Sequence, residues 1–413
     1  MSVVVSQHAE DTAILHGVRQ ALVDSPHVAL DRLGRLDARI AAHLDGCVVA
    51  GPQGFRLLLE RLAEPDAGAV FAVVAVLLEG RDRAALEQCL AAAEAVPETV
   101  SGAIAALGWV PRDVLTGVGR DLLVSPSPFR RRLGLAACRV HGVDPGAPLS
   151  AGLQDATPAV RAEALKTAGV IGRRDLLRGA VAALVDPDPD CRFQAARSAV
   201  LLGERGRALE TLTGLAMSDG PHQPRAFTLA FQAMSLAQAQ TVLRPLAADP
   251  AQLRPLIHAV GIVGDPNSVP WLIGHMAKKE TARAAGEAFS LITGVDLAWH
   301  DLERKPPDKL EAGPTDDPED DMVDMDPDEG LPWPATALVQ DWWREHAGRF
   351  EPGVRHFAGA PVASGHAIEV LKAGTQRQRI LASQYLCLLA PGTPIFNTSA
   401  PAWRQRTMLA QMG

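Results

Sequence analysis

Eleven residues separate Arg131 from Gly142, Arg161 from Gly172, Arg192 from Gly203 and Arg283 from Gly294, and Leu253 stands the same distance before Gly264. The starting positions step by 30, 31, 61 and 30 residues, and the double step leaves room for one degenerate copy around Pro224–Phe231. A fixed period near 30 residues forces one supersecondary unit to be stacked on its copies, because no single unit can bury its own apolar face. The stretch DATPAVRAEALKTAGVIGRRD, Asp155 to Asp175, displays the unit. Thr157 is placed to cap a helix, Pro158 sits at its first position and Gly172 lies past its last turn. Val160, Ala164, Leu165 and Ala168 share one face at the helical period. Asp155 and Asp186 each stand six residues before an arginine of the series.

Composition agrees with close-packed helices. Hydrophobic residues make up 47% of the 413 and aromatics only 4%, which disfavours a β-sandwich. The expected fold class is therefore all-α: an α-solenoid with a helical N-terminal cap and a small helical C-terminal domain. The expected boundaries are a cap over 1–52, the solenoid over 53–300, an acidic linker over 301–331 and the C-terminal piece over 332–413. FAVVAVLLEG and SGAIAALGW read as earlier, degenerate units within 53–124.

The repeat residues resemble HEAT-like repeats of the short type also seen in phycobilisome lyases. The turn aspartate, the helix arginine and the closing glycine carry the likeness. VPWLIGHMAKKETARAAGEAFSLITG, Val269 to Gly294, is a clear copy. The resemblance implies that Asp155, Arg161, Gly172, Asp186, Arg192, Gly203, Arg283 and Gly294 are structural, with turn acids and helix arginines pairing between neighbouring units to lock their register. The whole layout is also similar to a family of bacterial HEAT-like proteins. That likeness rests on LDRLGRLDARIAAHLDGCVVAG, LPWPATALVQDWW and LLAPGTPIFNTSAPAWRQ. It implies an accessory, effector-handling or immunity role in type VI secretion, and it brings no catalytic residues.

Chemistry-bearing patterns are absent from the sequence. There is no GxSxG, no HExxH and no phosphate-binding GxxxxGK[ST], and the twelve histidines form no helical ligand pairs. Deoxyhypusine hydroxylases, which share the repeat, hold iron with His-Glu dipeptides; this chain has only the reversed Glu345-His346. The expectation is a non-enzyme without cofactor or metal. Asp324, Asp326 and Asp328 begin like a calcium loop, but Glu329 stands where the turn glycine belongs and Ala335 where the closing glutamate belongs. Five scattered cysteines without a CxxC argue for reduced thiols and a cytoplasmic setting. The longest apolar run, Ala69 to Leu78, is half of what a membrane crossing needs.

A repeat array offers long surfaces, so the expected partner is another protein. Arg130, Arg131, Arg132, Arg173, Arg174, Trp342 and Trp343 are the candidate contact residues. The alternative is a DNA-binding or DNA-repair protein of the HEAT-like alkylpurine glycosylase type. Residues 112–210 carry 15 basic against 11 acidic residues and the chain is −8 overall, a balance that disfavours nucleic acid. Residues 311–329 hold ten acids and no base. Their role as spacer or recognition tail stays open at this stage, as does the number of subunits.

Overall fold

Glycine past the last turn lets a helix end in the left-handed conformation that other residues reach at a cost of about 1–2 kcal/mol. In the computed structural model, which describes residues 2–63, 65–307 and 326–412, all five glycines of the series take it. Gly142, Gly172, Gly203, Gly264 and Gly294 have φ of 63, 78, 109, 70 and 73°. The described residues form twenty-two α-helices, with two short antiparallel ribbons as their β-structure. The fold is an all-α solenoid of repeats. No described helix is long and apolar enough to cross a membrane.

Two compact units divide the chain: Met1–His222 with Leu371–Gly413, and Gln223–Val370. The boundary anticipated at 332 coincides with neither unit's edge.

In the first unit, helices Ser2–Leu22 and Leu30–Val49 pack together, and Ser2–Leu22 also packs on Ala67–Glu79. The last of these is apolar all round, with Ala69 through Leu78 buried, as suits a helix enclosed by others. Asp66 caps it by accepting the Ala69 N–H at 2.7 Å. Helix Val100–Trp109 lies so close that a side chain at Gly102 would collide with the Ala67 carbonyl. Then come the repeat helices Pro128–Val140, Pro158–Val170 and Pro189–Leu201, each packed on the next. Their hydroxyls mark the stacking: Thr167 donates to the Leu135 carbonyl at 3.4 Å and Ser198 to the Leu165 carbonyl at 2.7 Å.

Helices Gln376–Leu389 and Ala402–Ala410 complete this unit through a buried polar network. Asp37, fully buried, takes Arg19 at 2.5 Å and the Ala402 N–H at 2.7 Å. Arg19 also donates to the Ser399 and Ala400 carbonyls, each at 3.1 Å. Arg379 is wholly buried, with no carboxylate partner among the described residues. It bonds Gln376, Gln405 and the Leu371 carbonyl, and burial lowers its pKa to about 10.

The second unit holds helices Gln223–Ala233, Leu236–Ala248, Leu253–Val263, Val269–Met276, Ala282–Thr293 and Thr336–His346. Gln223–Ala233 occupies the place of the degenerate copy. Two ribbons flank them, Glu303–Arg304 with Trp333–Pro334 and His356–Phe357 with Ala360–Pro361.

Aspartate and arginine tie one repeat to the next. Arg161 donates from Nε and Nη2 to Asp186, both at 2.9 Å, while its Nη1 holds the Asp155 and Ala156 carbonyls of its own turn. Arg131 binds Asp155 in the same way, at 2.9 and 2.8 Å. Each aspartate also organises the turn. Asp155 accepts the Thr157 N–H and Asp186 the Asp188 N–H, both at 2.9 Å. Thr157 sits at the capping position but its hydroxyl makes no cap bond, because Asp155 has taken over the turn. Arg192 grips the Asp186 and Pro187 carbonyls and finds no carboxylate among the described residues.

In the second unit Arg283 binds Asp326 at 2.6 and 2.8 Å, and Asp326 accepts the Asp328 N–H at 3.0 Å. This is the same rung. Its partners are 43 residues apart, against 25 for Arg161 and Asp186. Asp326, within the acidic stretch, thus stands at the rung's place beside Arg283. Asp324 and most of the expected linker lie outside the described residues; Asp328 pairs with Arg254.

Hydrogen bonding from Arg161 holds the Asp186 carboxyl below its ordinary value of 3.8, against the upward push of burial. A depressed carboxyl stabilises the fold above its unfolded pKa and loses that contribution as pH falls through the folded one. Asp186→Asn is therefore expected to cost about 1–3 kcal/mol at pH 7. Urea unfolding of variant and parent should show that gap shrinking as pH falls below about 4.

Candidate functional site

The last carbonyls of a helix lack intrahelical donors and need partners from elsewhere. In the first unit those partners come from the C-terminal segment. Arg404 donates to the Trp109 and Val110 carbonyls at 3.2 and 2.9 Å, Asn397 to Val140 at 3.1 Å, and the Ile395 N–H to Val170 at 2.8 Å. Gly392 lies against Gly172, and Pro391 against Gly203. In the second unit Arg355 donates to the Phe231, Gln232 and Met234 carbonyls at 2.9, 2.8 and 2.6 Å. The N–H groups of His356 and Ala358 reach the Gly264 and Leu291 carbonyls at 2.8 and 2.6 Å. Within each unit, the helix C-termini are lined by the chain's own later residues.

A second face is polar. Arg139 on Pro128–Val140 donates to Glu163 on Pro158–Val170 at 2.6 Å, with Glu163 only 5% exposed. Burial raises the Glu163 pKa, but Arg139, Lys166 and Arg132 outweigh it and keep the carboxyl ionised. Gln194 and Arg197 hold, on Pro189–Leu201, the places that Glu163 and Lys166 hold one repeat earlier relative to the closing glycines. Arg132 Nε and Gln194 Oε1 on this face are buried without a hydrogen-bond partner among the described residues.

The arginines singled out in the sequence are distributed differently. Arg130 pairs with Glu87, Arg131 with Asp155, and Arg173 with both Asp144 and Asp175. Arg174 lays its stem against Gly392. Only Arg132 joins the polar face. Trp342 stacks on His346 at 4.3 Å and meets Phe289 edge-on, while Trp343 packs on Phe350; both are half-buried. Trp299, which the sequence did not single out as a contact residue, is far more exposed, at 83%.

Among the described residues no three His, Cys, Asp or Glu side chains form a group that could hold a metal ion. An open cavity of about 310 Å³ lies over Leu77, Leu78 and Leu86, with Arg81 facing Asp113 and Arg83 facing Asp121 at its rim. All five cysteines are free. Burial pushes Cys47, Cys89 and Cys138 up to about 11 and Cys191 and Cys387 up to about 12, far from the thiolate range that nucleophilic catalysis uses.

A family model described as HEAT repeats matches residues 146–231, the segment containing the Asp186 rung and the Glu163 face. This match places HEAT repeats in that segment of the all-α solenoid. Repeats of this kind commonly serve as protein-interaction scaffolds, and as a rule they are not enzymes. No curated protein matches the chain.

Two measurements test these environments. Gly172→Ala and Gly142→Ala impose the same left-handed penalty of about 1–2 kcal/mol, but only at Gly172 does the new methyl meet the Gly392 carbonyl, with open space around Gly142. The Gly172 variant should unfold at clearly lower denaturant and be cleaved faster by protease after Leu389. Thiol titration with a disulfide reagent at pH 8 should label the native chain slowly at every cysteine, and all five rapidly in guanidinium.

Proposed function

We propose that the chain is a non-enzymatic scaffold or adaptor that holds another protein. One observation carries the reading: in each unit the repeat helices already bind extended polypeptide, presenting carbonyls and glycine-lined contacts to residues 391–397 and 355–359. A surface that seats its own chain in this way has the chemistry to seat a partner's. Of the five arginines that could touch phosphates, Arg130, Arg131 and Arg173 are committed to carboxylates. That, with a net charge of −8, speaks against the DNA-repair alternative.

Within this reading, the three stretches shared with the bacterial HEAT-like family support an accessory, effector-handling or immunity role in type VI secretion. The buried, reduced thiols fit a cytoplasmic setting.

The test is capture of partners by the tagged full-length chain from its native cell, washed at low and at high salt, with protein and nucleic acid both identified. The scaffold reading expects one discrete protein retained at high salt. Nucleic acid bound at low salt and lost steeply as salt rises would replace it with the DNA-binding reading.

A further inference from the structure

We infer that Arg192 is a docking point for one carboxylate side chain of the partner protein, which enters the place that a turn aspartate fills in the other rungs of the first unit. The inference rests on the scaffold reading and names the chemistry of the contact.

The two filled rungs define the pose. Arg161 spends Nη1 on the Asp155 and Ala156 carbonyls of its own turn and turns Nε and Nη2 to the two carboxylate oxygens of Asp186, both at 2.9 Å. Arg131 holds the Ser125 and Pro126 carbonyls with Nη1, and Asp155 with Nε and Nη2. Arg192 is anchored the same way: its Nη1 donates to the Asp186 and Pro187 carbonyls at 2.8 and 2.9 Å. Its Nε and Nη2 have no hydrogen-bond partner among the described residues, and neither is among the unpartnered atoms sealed from solvent. The side chain is half-buried, so the fold orients the guanidinium and leaves this edge of it open to an acceptor.

One residue of the next turn explains the vacancy. Asp155, Asp186 and Ser218 occupy the same backbone place: each N–H reaches the carbonyl three residues before it, of Gly152, Ala183 and Leu215, at 3.2, 3.1 and 3.5 Å. Serine brings no carboxylate there, and the Ser218 hydroxyl donates instead to the Gly214 carbonyl at 2.8 Å. Asp188 accepts the Cys191 N–H and Asp190 pairs with His222, so both are engaged elsewhere.

The surroundings select the ligand. Val185 and Met217, the residues just before Asp186 and Ser218, are 75% and 39% exposed, so both turns offer apolar surface. Asp188, Asp190 and Asp219 stand within four residues of those turn positions. Like charges there repel a polyanion such as nucleic acid. A lone carboxylate on an apolar segment gains two parallel charge-assisted hydrogen bonds and the apolar contact. The arginine is already fixed, so little of its freedom is lost on binding.

The experiment uses the full-length chain and a fluorescein-labelled, end-blocked peptide LVDPDP, followed by anisotropy at low salt. The peptide copies the chain's own turn at 184–189, whose first aspartate fills the Arg161 rung. Binding is expected, with a loss of about tenfold or more in Arg192→Gln, in Ser218→Asp, and when asparagine replaces the first aspartate of the peptide. Arg56→Gln, on helix Pro52–Glu60, should leave it unchanged. Ser218→Asp also closes the rung within the chain, so it should raise the urea midpoint more with Arg192 present than in Arg192→Gln. No binding by the parent, equal affinity in either variant, tighter binding of a single-stranded dodecanucleotide, or no coupling between Ser218→Asp and Arg192 would each overturn the site. Absence of coupling is also the result if Asp219 fills the place in solution. A cellular partner retained by both variants removes this site and leaves the scaffold standing. Peptide binding without any cellular protein partner does the reverse.

Discussion

A helix in a repeat array ends with carbonyl oxygens that its own backbone cannot satisfy, and in this protein that requirement organises nearly everything else. Glycine ends the helix in a left-handed turn and removes the side chain that would stand in the way. The opened edge is then supplied with donors by residues far along the chain. Asn397, Ile395 and Arg404 do this in the first unit, and Arg355, His356 and Ala358 in the second. Each bond is modest, about 1 kcal/mol net, but the alternative of buried unpaired carbonyls is worse. The long-range pairing therefore follows from local helix geometry.

The aspartate–arginine rungs solve a different problem at the other end of the helices. A turn carboxylate that accepts a backbone N–H is already oriented, so the arginine of the preceding repeat meets it with two donors and little further loss of freedom. One side chain thereby fixes both the turn and the register. Arg283 and Asp326 show how far register outranks chain distance: the rung forms across 43 residues. Two of the carboxylates that read as the start of a calcium loop, Asp326 and Asp328, are counter-charges to Arg283 and Arg254.

Between these two edges lies the polar face, where the repeat pattern departs from its apolar rule. Glu163 and Gln194 stand on helices whose neighbours are alanine, leucine and valine; Glu163 is bonded to Arg139, and Gln194 Oε1 has no partner among the described residues. Buried polar groups with incomplete partners cost stability.

The sequence by itself determined the period, the helix ends and the rungs, because each is written in residues a few turns apart: a proline, an aspartate, an arginine and a glycine at fixed spacing. Local conformational preference is enough to read those. It also determined that the helices are packed by small apolar residues. The destination of the C-terminal segment, the placing of Asp326 and the unmade bonds of Arg132 and Gln194 were decided only by the tertiary structure. Each depends on which donor reaches which acceptor across a hundred residues or more, or across the gap between two helices, and no local spacing encodes that choice. Even the arginines divided on this ground: Arg131 and Arg132 are adjacent in sequence, yet successive helical residues point about 100° apart. One faces the turn acid and the other faces the polar row.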